Sequence, residues 1–274
     1  MFNSFVTAFS THENVSRTVR LCVLCAAATT FAMSRTAFAS PDELQVHLGE
    51  LAKPGEFAVD VISNAALAGP AKPAAEGLRS SLRLLQVSPE FSYGLTKSTQ
   101  VGLQLFSAID THGKLCVDGA RAGLTSMLIR PDDEDDDGLF AGGIIEAGRL
   151  PRTLSLNRLD GELKLILGYR TGRWLLAINP EVGRKLSGLG STAADLSASA
   201  KLGYKVNSLF SVSAEHYGDL GTLQRIGSLR QQSQLTFGVI DFKVKGSEIN
   251  VGIGRGWNAH SERWILKMIV SVAL

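Results

Sequence analysis

The sequence predicts an all-β chain folded as a single up-and-down antiparallel transmembrane β-barrel of about 12 strands, and three observations predict it. From Gly55 onward, apolar side chains recur at every second position in segments of about ten residues. The connections between those segments alternate between long and tight. The last segment, with Trp264, Leu266, Met268, Val270 and Val272 on one parity, alternates up to the final residue, Leu274, with no polar tail.

Composition removes the competing classes. The chain has 274 residues, 45% hydrophobic and 20% charged, with 28 glycines and 3 cysteines, which excludes a disordered tail and a disulfide scaffold. No apolar run reaches the ~20 residues that a membrane-spanning helix needs.

The first element is an export signal, residues 1–39. Arg17 and Arg20 precede the apolar stretch Leu21 to Met33, and Ala37-Phe38-Ala39 places small residues where a signal peptidase reads them. Cys25 follows Leu24, too large for a lipoprotein site, so lipidation is rejected. Cleavage leaves 235 residues with 25 basic against 25 acidic side chains and one cysteine, Cys116. A neutral product gives no support to nucleic acid as a partner. Residues 40–54 follow as a periplasmic segment, a short amphipathic helix or a tether, with nothing in them that suggests chemistry.

The barrel is expected over 55–274. Residues 196–206 show its pattern best: Leu196, Ala198, Ala200, Leu202, Tyr204 and Val206 share one parity, and Ser197, Ser199, Lys201, Gly203 and Lys205 the other. Val87, Phe91, Tyr93 and Leu95 likewise oppose Gln86, Ser88, Glu90 and Ser92. A soluble sandwich would also alternate, and loop lengths discriminate. Long connections at 69–81, 150–161, 186–194 and 218–232 interleave with tight ones at 96–100, 171–173, 207–208 and 244–247, as in barrels with short periplasmic turns. Connections 111–114 and 131–138 break the rule. Tyr93, Tyr169, Trp174, Tyr204, Phe210 and Phe242 lie by the tight turns and Tyr217, Trp257 and Trp264 by the opposite rim, as two aromatic girdles would. Pro89 and Pro180 fall inside strands, and a bulge at each Pro-Glu pair would accommodate them.

Parity also assigns the inner face. Asp60, Glu90, Glu146, Glu181 and Glu215 oppose Arg121, Lys164, Arg170, Lys201 and Lys267. An Arg or Lys facing lipid at mid-membrane costs about 2–4 kcal/mol, so the charged face belongs inside, around water. Glu90, Glu146, Arg121, Arg170, Glu181 and Glu215 are the expected lumen and selectivity lining. Paired charges bracing a closed lumen are the competing reading. The acidic run Asp132-Asp133-Glu134-Asp135-Asp136-Asp137 lacks the spacing and inner glycine of a calcium loop and reads as a solvated turn.

Catalysis finds little support. Of the mature histidines, His47 precedes the barrel, His112 and His260 fall in loops, and only His216 sits at a strand end. Ser213, three positions away, is on the opposite face, so a nucleophile would have to come from another strand. No metal-ligand pairing or phosphate-cradling glycine loop appears, so no catalytic residue, metal or cofactor is expected.

The stretches Pro89-Glu90-Phe91-Ser92-Tyr93-Gly94-Leu95-Thr96, Gly168-Tyr169-Arg170-Thr171-Gly172-Arg173-Trp174, Glu215-His216-Tyr217-Gly218-Asp219 and Gly252-Ile253-Gly254-Arg255-Gly256 resemble Gram-negative outer-membrane barrels grouped with transporters and with proteins linked to the phenol-degradation meta pathway. The resemblance spans roughly residues 55–274 and implies fold, an outer-membrane location and transport, with no catalytic residues to carry over. The terminal strand resembles the assembly signal of such barrels, although its usual last residue is aromatic and here it is Leu274. The expectation is a passive channel or uptake pore for small polar or aromatic solutes, not an enzyme, with outer-membrane lipid, the assembly machinery and small solutes as partners. The alternatives are a closed structural or adhesin-like barrel acting through its loops and, third, an outer-wall lipid hydrolase using His216.

Overall fold

A computed structural model of the chain describes residues 44–68, 84–109, 112–131, 136–151, 159–187, 193–228, 232–244, 246–258 and 261–274. The export signal 1–39, the loop 69–81, Asp132 to Asp135, His260 and parts of the other long connections lie outside the described residues.

Among those residues there are thirteen strands and no helix. They are β1 (Phe57–Ala68), β2 (Leu85–Thr96), β3 (Thr99–Ile109), β4 (Leu115–Ile129), β5 (Gly138–Arg149), β6 (Leu159–Thr171), β7 (Trp174–Ser187), β8 (Asp195–Lys205), β9 (Phe210–Thr222), β10 (Arg225–Ile226), β11 (Gln234–Val244), β12 (Ser247–Gly256) and β13 (Trp264–Ala273). Twelve of them pair antiparallel with their neighbours in sequence, and β1 pairs with β13 to close the ring. The two-residue β10 only extends β9 beyond the wall. The architecture is the expected up-and-down barrel. Closure leaves no open sheet edge among the twelve wall strands, so none of them requires a partner molecule to pair with.

The alternation of side chains decides which face is which. On β6, Leu163, Leu165 and Leu167 are 47%, 45% and 39% exposed, whereas Lys164 and Ile166 between them are 4% and 1% exposed. The greasy face therefore looks outward, and two layers sharing a dry centre are excluded. The tight turns gather at one end of the barrel together with Gly55 and Leu274. Three cross-strand ring pairs mark that end: Phe57 with Tyr93, Trp174 with Tyr204 and Phe210 with Phe242, with centroids 4.7, 4.9 and 5.6 Å apart.

Four expectations need correction. Tyr217 is not a girdle residue: it shares the parity of Glu215 and is buried inside, edge-on to Phe237. The prolines carry no bulge. The ladders β1–β2 and β7–β8 run unbroken through Pro89 and Pro180, while β2–β3 and β6–β7 skip two pairs beside them with no change of register. Each proline thus turns its donorless nitrogen to the interrupted side, and Ser107 Oγ donates to the Val87 carbonyl there. The inner face is also not purely wet. Phe140, Ile144, Ile166, Phe237, Val239 and Ile265 point inward and form an apolar core. Lastly, residues 44–53 form neither helix nor external tether: they are extended and lie within the ring, with Leu44 and Val46 in that same core.

Candidate functional site

The segment 44–54 enters the lumen at the tight-turn end. Pro54 forms a parallel bridge with Gly94 of β2, the Gly55 N–H donates to the Gly94 carbonyl at 2.8 Å, and the Gly94 N–H donates to the Glu56 carbonyl at 3.1 Å. Only glycine fits there, since a Cβ at position 94 would run into the Ala52 and Lys53 carbonyls. From that mouth the segment climbs to mid-barrel and is held along its length. The Ala52 N–H donates to Gln100 Oε1 at 2.8 Å, and Glu50 meets Arg170 at 3.4 Å. Asn179, 1% exposed on β7, grips the backbone of His47 from both sides, accepting its N–H at 2.7 Å and donating to its carbonyl at 3.0 Å. Lys164 Nζ lies 3.4 Å from His47 Nε2. At the top, Lys267 Nζ donates to the Leu44 carbonyl at 2.9 Å. Leu48 and Leu51 pack against the apolar core beside Leu44 and Val46. A strand inside a barrel has no neighbouring ladder, so side chains such as Asn179 and Gln100 replace the missing backbone partners.

Two ionic networks line the wall around this plug. In the first, Lys267 pairs with Glu215, Tyr217 OH donates to Glu215 Oε2 at 2.6 Å, and Lys267 donates to that same hydroxyl at 3.1 Å. Lys201 joins it, 3.3 Å from Glu215 Oε1 and 3.0 Å from Asp241 Oδ1, and Asn250 and Ser213 also donate to Asp241. All three protons of the Lys267 ammonium are thereby taken, which a 2% exposed charge requires. In the second, Arg121 bridges Glu162 at 2.5 Å and Glu146 at 3.3 Å and donates to Gln104 Oε1 at 2.7 Å, with Phe106 beneath it. Lys164 continues that chain to Glu146 at 3.9 Å and Glu181 at 3.4 Å.

The structure thus brings Arg121, Glu146 and Glu181 into one network, puts Glu215 in the other, and leaves Arg170 at the mouth with Glu50 and over Phe140. Glu90 lies opposite Asp60 in register on β1. Between the plug and the wall at the tight-turn end is a cavity of about 770 Å3, lined among others by Asp60, Glu90, Arg170, Lys201 and Asp241.

Sequence reasoning missed Glu162 and Asp241, both of which lie on the inward parity. Glu162 is two positions from Lys164, and Asp241 follows Phe237 and Val239 on that face. It also missed the plug. Its signal was there, in the alternation of Leu44, Val46 and Leu48 directly before the first strand. Of the acidic run, Asp137 accepts the Gly172 N–H of the neighbouring turn at 2.7 Å, a structural cap.

The third expectation, an outer-wall hydrolase, meets mixed geometry. Ser213 points into the lumen onto Asp241. His216 faces outward and its Nδ1 lies 2.8 Å from Thr236 Oγ1, which also accepts the Trp257 indole N–H at 2.7 Å.

No family model and no curated protein matches the chain. Solved structures do. An outer membrane channel from Pseudomonas putida F1 matches at 14% identity and a TM-score of 0.51, over 85% of this chain and 100% of that one. The KdgM porin matches at 10% identity and 0.51, over 79% and 99%, and the NanC porin at 11% and 0.50, over 78% and 97%. At such identities the likeness is one of fold: this chain has the barrel fold that outer-membrane channels and porins are built on, and it holds a segment of its own inside.

Proposed function

We propose that the protein is an outer-membrane pore for small polar or aromatic solutes whose opening is set by its N-terminal segment. The observation that supports this best is the cavity of about 770 Å3 between that segment and the charged wall. A barrel built only as a rigid scaffold gains nothing from a polar cavity, whereas a pore needs fixed charges of both signs beside water. The fold shared with channels and porins supports the outer-membrane location, and the outward leucines supply the lipid contact. The sequence resemblance to barrels linked to the phenol-degradation meta pathway is the support for aromatic solutes. Glu90, Glu146, Arg121, Arg170, Glu181 and Glu215 are the proposed lining. The assembly machinery is the proposed partner for insertion, through the terminal strand β13.

Planar-bilayer conductance tests the reading. Removing residues 44–52 widens or multiplies the current steps of the parent, and Gly94→Val, which displaces the Ala52 and Lys53 carbonyls at the mouth, does so to a smaller extent. A folded deletion variant that opens no steps at any voltage rules the pore out.

One observation favours a second reading, a closed barrel acting through its outer loops: the segment 44–52 is anchored at four heights of the lumen, by Gln100, Arg170, Asn179 and Lys267. That reading expects the deletion to change stability alone.

A further inference from the structure

On the outward wall at the long-loop end, one row of side chains departs from the apolar pattern. Thr236 of β11 stands opposite His216 of β9 on one side and Arg255 of β12 on the other. Gly254 pairs with Ile265, so Arg255 lies across from Trp264, and its guanidinium sits 5.5 Å from the centre of that ring. Below the row the same strands present Ile240, Val251 and Ile253, each 40–50% exposed. The row is therefore at the upper edge of the apolar band.

Its geometry is rigid and its hydrogen-bond directions follow from elementary constraints. The Asp219 carbonyl can only accept, so Gln234 Nε2 lies on it at 2.8 Å and Gln234 Oε1 faces His216 Nε2 at 3.0 Å. In the neutral imidazole that nitrogen carries the proton and Nδ1 accepts from the Thr236 hydroxyl, whose oxygen in turn accepts the Trp257 indole N–H. The chain holds the Trp257 ring on the outer surface, 73% exposed, two residues along the same face from Arg255. Arg255 is thus flanked by two exposed indoles, the side chains that settle at headgroup depth. Its guanidinium finds a ring but no carboxylate or carbonyl among the described residues. Among the described residues nothing claims the N–H fork of this exposed guanidinium, so an acceptor from outside the protein can take it, and the planar fork matches the oxygens of a phosphate.

We propose that Arg255, flanked by Trp264 and Trp257 and backed by the Thr236–His216 pair, is a binding site for the phosphate of an anionic lipid headgroup. This rests on the barrel lying in a membrane and not on conduction. The outward direction of the row favours lipid over phosphate in solution, because its neighbours on the same face are acyl-facing residues.

Native mass spectrometry of the folded, detergent-purified chain tests it with phosphatidylglycerol, phosphatidylcholine, diacylglycerol and inorganic phosphate as probes. Phosphatidylglycerol is retained at least tenfold more than diacylglycerol and more than phosphatidylcholine. Arg255→Gln lowers that retention about tenfold, and Arg255→Lys restores part of it. Arg149→Gln leaves it within twofold, since Arg149 also faces outward at the long-loop end, on β5, but has no ring beside it among the described residues. Millimolar inorganic phosphate does not displace the lipid. Equal retention by the parent and Arg255→Gln, equal retention of diacylglycerol, an equal loss with Arg149→Gln, or displacement by inorganic phosphate overturns the site. Folding is checked by heat-modifiable gel mobility and by entry into vesicles: a parent that never enters vesicles fails the membrane reading, whereas one that enters and ignores Arg255 fails this site alone.

Discussion

Glu215 has two ammonium groups leaning on it. With Lys267 and Lys201 both within its reach and all three residues 2–6% exposed, truncating the carboxylate leaves the buried Lys267 ammonium without its ion-pair partner. Glu215→Ala is expected to cost about 3–5 kcal/mol, the range for breaking a buried pair by removing one partner. Urea unfolding of the vesicle-inserted barrel measures it. The contrast is Lys243 and Glu248, paired at 2.9 Å with both side chains nearly half exposed. Lys243→Ala changes stability by less than about 1 kcal/mol in the same assay. Asn179 belongs at this scale as well. Asn179→Ala removes both bonds to the His47 backbone and leaves that peptide unit without its partner, so the plug loosens by about 1–3 kcal/mol. Faster amide exchange at His47, with exchange in β7 unchanged, is the expected signature.

Strands were easier to read than the segment before them because a strand announces itself by period. Every barrel strand has apolar residues at alternate positions, and the periodic signal survives whatever the other face holds. The prolines show how far this goes. Position 180 read as a defect that needed a bulge, yet the register passes through it, because the interrupted ladder to β6 asks nothing of its nitrogen. Pro180→Ala is accordingly expected to leave the barrel intact and to raise stability by up to about 1 kcal/mol, one added hydrogen bond's worth. Residues 44–53 carry the same alternation in Leu44, Val46 and Leu48, but the pattern is too short to say which wall the apolar side meets. A tether, a helix and a plug all remain compatible with it until the barrel exists to receive it.

At the scale of the whole molecule, the inner wall is not balanced. Glu162 and Asp241 raise the five carboxylates expected from parity to seven against five cations, so that set of side chains leans acidic. The proposed pore, opened by removal of residues 44–52, is therefore expected to prefer cations. The sign of the reversal potential in a salt gradient measures that preference, and Glu162→Gln with Asp241→Asn together reduces it.

By itself the sequence determined the barrel, its strand number, the sense of its two faces and the end at which the tight turns gather. Those properties are periodic or local, and a face buried in lipid must be apolar whichever strands stand beside it. Only the tertiary structure decided what fills the ring. Lys267 meets Leu44 across 223 positions of sequence and Asn179 meets His47 across 132, and no local pattern encodes such a meeting. Whether inward phenylalanines leave water between them or close on a plug depends on the curvature of the wall, which exists only once β1 has found β13.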